Sequence, residues 1–155
     1  MTRSDIDAIA ETFAPWNKKR EQYERYFEEN QRGERVTLVA VVGDRVVGYG
    51  KVLWESDYEP FRSDDIPEIN DLNVIEEHQN QGIGRALIRE AERIVAAAGR
   101  LVVGIGVGQT PDYAAAQGLY PRLGYAPDGR GIRTTRYGDE AYLTKRLYRG
   151  VGSNE

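Results

Sequence analysis

The chain has 155 residues, 40% hydrophobic and 30% charged, a formal net charge of −4, one histidine and no cysteine. This composition excludes a disulfide framework, a thiol nucleophile and a histidine cluster for zinc, and no apolar run approaches the roughly 20 residues of a membrane span. A single domain over 1–155, cytoplasmic and without a signal peptide because Ser4 to Ala10 is charged, is the expectation.

In chain order, Ser4-Asp5-Ile6-Asp7 reads as a capping box opening a helix with Ile6, Ile9, Ala10 and Phe13 at helical spacing. That helix is expected to stop near Pro15, and a second, bearing Tyr23, Tyr26 and Phe27, to run from Asn17 to Asn30. Val36 to Val42 and Arg45 to Leu53 are β-branched runs joined by Gly43-Asp44, a two-residue hairpin signal. Trp54 to Pro67 reads as a polar loop, and Ile69 to Ile75 as a strand. Gln79-Asn80-Gln81-Gly82-Ile83-Gly84 then feeds an amphipathic helix, Arg85 to Ala98, whose apolar stripe is Leu87, Ile88, Ala91, Ile94, Val95 and Ala98, with Gly99 as its C-cap. Leu101 to Val107 is nearly all apolar and predicts a strand buried on both faces. Asp112 is placed to cap a short helix through Leu123, and strands are expected near Tyr125 to Arg136 and Ala141 to Leu147.

The glycine turn carries the strongest chemical signal. Glycines bring backbone close to a ligand, and the amides and dipole of a helix start favour an anion, so the segment reads as a phosphate site. It ends Gly84-Arg85-Ala86, without the Lys-Ser/Thr of a nucleoside-triphosphate loop, and Leu87 stands where a dinucleotide fingerprint needs its third glycine.

The remaining pattern, Gln-x-x-Gly-x-Gly before a helix, resembles the pyrophosphate turn of the GNAT (Gcn5-related) N-acetyltransferases. Two more blocks keep family spacing. Glu68-Ile69-Asn70-Asp71-Leu72-Asn73-Val74 is similar to the family's central strand, with Glu68 fourteen residues before Gly82, and Ala116 to Tyr125 is similar to the Ala-x-x-Leu-Tyr-x-x-x-Gly-Phe/Tyr block. The resemblance spans roughly Val36 to Leu147. It implies an α/β GNAT fold: a mixed, mostly antiparallel sheet of six to seven strands flanked by about four helices. N-terminal helices would lie at about 4–30, a cofactor-binding core at about 36–125 and C-terminal strands at about 125–148.

It also implies acetyl-CoA as cofactor, with backbone of Leu72, Asn73 and Val74 along the pantetheine arm and Gln79, Asn80, Gln81, Gly82, Ile83, Gly84 and Arg85 around the pyrophosphate. In the resemblance Tyr120 is the acid that protonates the coenzyme thiolate. Family members often carry an asparagine seven residues before that tyrosine. Here the position is Tyr113, so contact with the coenzyme from that point is in doubt.

Acetyl transfer to an amine needs a group to take the ammonium proton. Glu68 is the first candidate, as base or water-relay anchor, and Asp71 the second, because Leu101 to Gln109 contains no carboxylate. Burial of Glu68, which shares pleat parity with Asn70, Leu72 and Val74, would favour basicity.

Between Glu55 and Glu77 stand nine acidic residues against the one base Arg62, a concentration that attracts cations. The resemblance puts the acceptor near this stretch, with Trp54, Tyr58 and Phe61 as cover and Asp71 among the substrate-binding residues. A small cationic primary amine is therefore expected. Alternatives are a protein or peptide acceptor, which needs an open groove, and a non-catalytic acyl-CoA-binding module, against which retention of Glu68 and Tyr120 argues. His78 reads as a turn residue. The bases Arg130, Arg133, Arg136, Lys145, Arg146 and Arg149 are dispersed in an acidic chain, which argues against nucleic acid as a partner. A monomer or homodimer is expected, with Ala141 to Leu147 as an exposed strand able to pair.

Overall fold

A computed structural model describes residues 1–14, 19–135 and 138–147. Pro15, Asn17, Arg136 and Arg149, to which the sequence assigned a helix stop, a helix start and two surface bases, lie outside the described residues. The fold is α/β, with six strands in a mixed sheet and five α-helices among the described residues. The chain divides into two compact units: Met1–Trp54 with Asn70–Ala91, and Glu55–Ile69 with the described part of the stretch from Glu92 onward. No described helix is long and apolar enough to cross a membrane.

In the first unit, α1 (Arg3–Thr12) and α2 (Arg20–Gln31) precede the hairpin of β1 (Arg35–Val42) and β2 (Arg45–Leu53). The capping box at α1 sits two residues earlier than the sequence suggested. Thr2 is the N-cap, its amide donates to Asp5 Oδ2 at 2.6 Å, and Ser4 lies inside the first turn. Gly43, at φ +62°, makes the hairpin turn, and the β1–β2 register shifts between Ala40 and Val41. Isoleucines and rings from both helices fill the core with Val46, Val47, Tyr49 and Ile75. Edge-to-face contacts of Tyr49 with Phe13 (4.9 Å) and Tyr23 (5.7 Å) order that core. Strand β3 (Glu68–Val74) gives Asn70–Val74 to this unit, where the strand order is β1-β2-β3. A 3₁₀ turn at Glu76–His78 and the start of α4 (Ile83–Ala97) follow.

In the second unit the order is β3-β4-β6-β5, with β4 at Val102–Gly108, β5 at Ala126–Thr135 and β6 at Gly138–Arg146. Glu68 and Ile69 pair in parallel with Gly104 and Ile105, while β6 runs antiparallel to both β4 and β5. This corrects the expectation of an exposed C-terminal strand: β6 is flanked on both sides, and β5 is the edge. Sheet order depends on distant partners that the Ala141 to Leu147 pattern does not encode.

Four further expectations change. The stretch Trp54 to Pro67 contains a short helix, α3 (Glu59–Ser63), with Pro60 in its first turn and buried Phe61. Asp112 lies within a 3₁₀ turn (Pro111–Tyr113) and caps nothing, since α5 (Ala114–Arg122) has Tyr113 as N-cap. Leu101 is 48% exposed and precedes β4, and Ala98 is exposed rather than part of the buried stripe of α4. That helix ends as expected at Gly99, φ +84°. The amides of Arg100 and Gly99 turn back to the carbonyls of Val95 and Ala96, the paired bonds of a Schellman ending.

Candidate functional site

The glycine turn lies in the first unit, and its geometry follows from two left-handed residues, Asn80 (φ +64°) and Gly82 (φ +84°). Side chains brace the turn from within. Gln79 Nε2 donates to the Val74 carbonyl at 2.9 Å, Gln81 Nε2 to the Glu77 carbonyl at 3.3 Å, and Gln81 Oε1 meets His78 Nδ1 at 3.2 Å. Ile83 packs against the core, anchoring the first residue of α4. Ala86 donates to the Gly82 carbonyl, the first helical bond, so helix geometry leaves the amides of Ile83, Gly84 and Arg85 without intrahelical acceptors. A Cβ added at Gly82 would meet nothing within 4 Å. Open space beside free amides and a helix dipole is what a phosphate ester requires, so these residues fit the pyrophosphate of a coenzyme.

Just upstream, β3 approaches β2 at two glycines. A Cβ at Gly48 would lie 2.9 Å from the Asn73 carbonyl oxygen, and one at Gly50 would lie 2.9 Å from Leu72 Cδ1. Leu72, Asn73 and Val74 are half-buried. Asp71 has φ +52°, a left-handed conformation that interrupts the alternation extrapolated from Glu68 through Val74. Its carboxylate is held from two sides, by the Tyr26 hydroxyl at 2.9 Å and by Asn73 Nδ2 at 2.8 Å. Burial raises the Tyr26 phenol, and the Asp71 charge raises it further.

Glu68, Tyr120 and Tyr58 belong to the second unit. Glu68 is 5% exposed. Ser56, 1% exposed, donates from Oγ to Glu68 Oε1 at 2.5 Å, and the same Oγ accepts the Tyr58 amide at 2.9 Å. Arg62 Nη1 donates to the Ser56 carbonyl at 3.1 Å, fixing the backbone there. Burial raises the Tyr142 phenol, with the charges of Glu140 and Glu68 adding to the effect.

The floor of this region is β4. Its Gly104, Gly106 and Gly108 alternate on one face, each covered by a ring from elsewhere in the unit: Phe61, Tyr142 and Tyr113. A Cβ at Gly104 would come within 2.2 Å of Phe61, and one at Gly108 within 2.4 Å of Tyr113. Tyr58 stacks on Tyr142 with centroids 3.7 Å apart and planes 4° from parallel, and its hydroxyl donates to Asp128 Oδ2 at 2.7 Å. Burial and that hydrogen bond push the Tyr58 phenol up to about 12. Tyr58 and Phe61 are thus packed rings rather than an open cover. Trp54, half-buried, belongs to the first unit. Of the acidic run, Glu55, Asp57, Glu59, Asp64 and Glu76 are exposed, while Asp65 pairs with Arg100 and Glu77 with Arg45.

Tyr120 sits in α5, 5% exposed. The motif around it is a helix ending: Gly124, at φ +100°, lets the Tyr125 amide return to the Tyr120 carbonyl at 3.1 Å and brings the two rings to 6.2 Å. Tyr125 is tied to Glu92 Oε2 at 2.8 Å, and Lys145 Nζ holds Glu92 Oε1 at 3.0 Å. Among the described residues no group hydrogen-bonds the Tyr120 hydroxyl, and burial alone pushes this phenol up to about 12.

Sequence reasoning missed Ser56, Tyr142 and Asp128, each distant in sequence from Glu68 or from its partner. A usable signal existed only in the Gly-x-Gly-x-Gly alternation of β4, which marks a face onto which rings can pack.

The sequence model described as the acetyltransferase (GNAT) family matches residues 4–125. None of the curated protein sequences matches significantly. Among solved structures, ribosomal-protein-alanine N-acetyltransferase from Brucella melitensis superposes with a TM-score of 0.73 at 23% identity, over 95% of this chain and 97% of that one. An aminoglycoside 6'-N-acetyltransferase complexed with coenzyme A gives 0.69 at 18%, over 95% and 93%. An N-acetyltransferase from Staphylococcus aureus Mu50 gives 0.74 at 16%, over 96% of each.

Proposed function

Because the chain belongs to the acetyltransferase (GNAT) family, and so moves an acetyl group from acetyl-CoA to an amine, we propose that its acceptor is a small cationic primary amine, with Glu68 as base and Tyr120 as acid. The observation that carries this reading is Glu68 itself. A carboxylate 5% exposed, held by a serine hydroxyl at the head of a strand, is far better ordered than a solvated surface charge.

Acetyl-CoA supplies the acetyl thioester. Glu68 takes the proton of the attacking ammonium, directly or through a water, leaving the amine lone pair free. Tyr120 keeps its proton at every physiological pH, so its O–H is always available to donate to the departing sulfur. Backbone amides at Gly82 to Arg85 hold the coenzyme phosphates, and main chain of Leu72 to Val74 lies along its arm. Asp71, already accepting from Tyr26 and Asn73, shapes the substrate side instead of taking the proton. The exposed carboxylates between Glu55 and Glu76 draw a cationic acceptor inward.

The test is calorimetric titration of acetyl-CoA followed by a thiol-release screen over monoamines, polyamines, aminoglycosides and short peptides at low and high salt. Release on polycationic small amines, weakened by salt, is the expected result. Release confined to peptides would replace the acceptor with a protein, and binding without release would leave an acyl-CoA-binding module.

A further inference from the structure

The segment between β2 and β3 does more than connect strands. We propose that Ser56 is the positioning residue for the Glu68 carboxylate, held in a fixed donor orientation by the Tyr58 amide. The inference rests on the reading of Glu68 as base and extends it to a residue with no signal in the sequence.

A serine hydroxyl has one proton and two lone pairs, and ordinarily rotates between partners. Here the Tyr58 amide occupies one lone pair at 2.9 Å, so the Oγ proton points to Glu68 Oε1 at 2.5 Å. Ser56 is 1% exposed, so water does not compete for it. Each neighbour is fixed in turn. Arg62 holds the Ser56 and Asp57 carbonyls at 3.1 and 3.3 Å. Tyr58 is clamped between the Tyr142 ring and Asp128 Oδ2. Glu68 is therefore oriented by a hydroxyl whose rotation is blocked.

The charged and titratable surroundings agree with a stabilising role. From β6 the Tyr142 phenol feels the Glu68 charge and donates to Glu140 Oε2 at 3.2 Å. Across β4 the register partner is Gly104, which has no side chain, under the apolar Phe61 ring. Behind Ser56 stand Tyr58 and Asp128, the latter meeting Arg130 at 3.7 Å. In so buried a setting a donor to the charged form of a carboxylate carries weight, since burial otherwise favours the neutral acid.

The experiment is a carbon-13 NMR pH titration of the Glu68 carboxyl in glutamate-labelled protein, assigned by Glu68→Gln, run on wild type, Ser56→Ala, Ser56→Cys and Ser56→Thr. The pH profile of kcat/KM for acetyl transfer is measured in parallel. Ser56→Ala is expected to move both the carboxyl midpoint and the acid limb of kcat/KM upward by about one pH unit, about tenfold in the protonation equilibrium. Ser56→Cys, which preserves volume but offers only a weak donor, moves them the same way and covers an alanine variant that does not fold. Ser56→Thr returns both toward wild type, and acetyl-CoA affinity stays constant throughout. Unmoved midpoints in Ser56→Ala and Ser56→Cys would overturn the inference, as would a midpoint that moves while the kcat/KM limb stays. A limb that persists in Glu68→Gln would instead remove Glu68 as base, a separate failure.

Discussion

The glycine turn of the first unit and the Glu68 cluster of the second present their polar groups in opposite ways. At Gln79 to Arg85 the presenting groups are main-chain amides, and the glutamine side chains are spent on bracing the loop. At Glu68 the presenting group is a side chain, and residues up to sixty positions away in sequence hold it through Ser56, Tyr58 and Asp128. A backbone site is specified locally by φ angles, whereas a side-chain site is specified by packing.

That contrast can be broken at graded points. Glu68→Gln removes the proton acceptor proposed above, and kcat should fall by about 10²- to 10⁴-fold with acetyl-CoA affinity unchanged in calorimetry. A loss under threefold would place the base elsewhere.

Buried phenols test both units together. Tyr26 and Tyr49 in the first and Tyr120, Tyr125 and Tyr142 in the second are all raised, with burial the leading cause in each. Unfolded phenols titrate near 10. The folded protein therefore retains protons that the unfolded chain releases, and this stability is fully present below about pH 10 and lost as pH rises through 12. Urea midpoints should fall above pH 10 while tyrosinate absorbance rises in step. A flat midpoint to pH 11.5 would contradict the burial of these rings.

Gly104→Ala forces a methyl against Phe61 and should destabilise the protein by about 1–3 kcal/mol in urea unfolding. An unchanged midpoint would mean that the ring face is soft. Gly82→Ala meets no neighbour but retains a left-handed φ, so the cost is about 1–2 kcal/mol of strain, read as weaker acetyl-CoA binding, lower stability or both. Unaltered binding and stability would remove Gly82 from the proposed pyrophosphate site. Smallest is Gln79→Ala, which deletes one brace to the Val74 carbonyl, about 0.5–1.5 kcal/mol, with a few-fold loss in coenzyme affinity and an intact kcat.

The same contrast explains what the sequence disclosed. The glycine turn, the Gly99 helix ending and the Gly43 hairpin were legible because each is a local conformation that few residues adopt. The capping box slipped by two residues because Thr2 with Asp5 and Ser4 with Asp7 are equivalent patterns three apart, and only packing chooses between them. Helix α3 was hidden in a polar stretch because one turn has almost no periodicity, and its reason to exist is Phe61 over Gly104. The interior place of β6 and the left-handed backbone at Asp71 depend on the surrounding strands, and the link from Ser56 to Glu68 depends on packing.

The glycine face of β4 has one more consequence. From Gly104 to Gly108 the strand offers no side chains on one side and has nothing of its own to alter there, so the character of that surface belongs to its tenants, and Phe61, Tyr142 and Tyr113 come from three separate stretches of chain. Each can be exchanged without rewriting the strand beneath. Such a surface behaves like a type case with removable letters, reset one ring at a time.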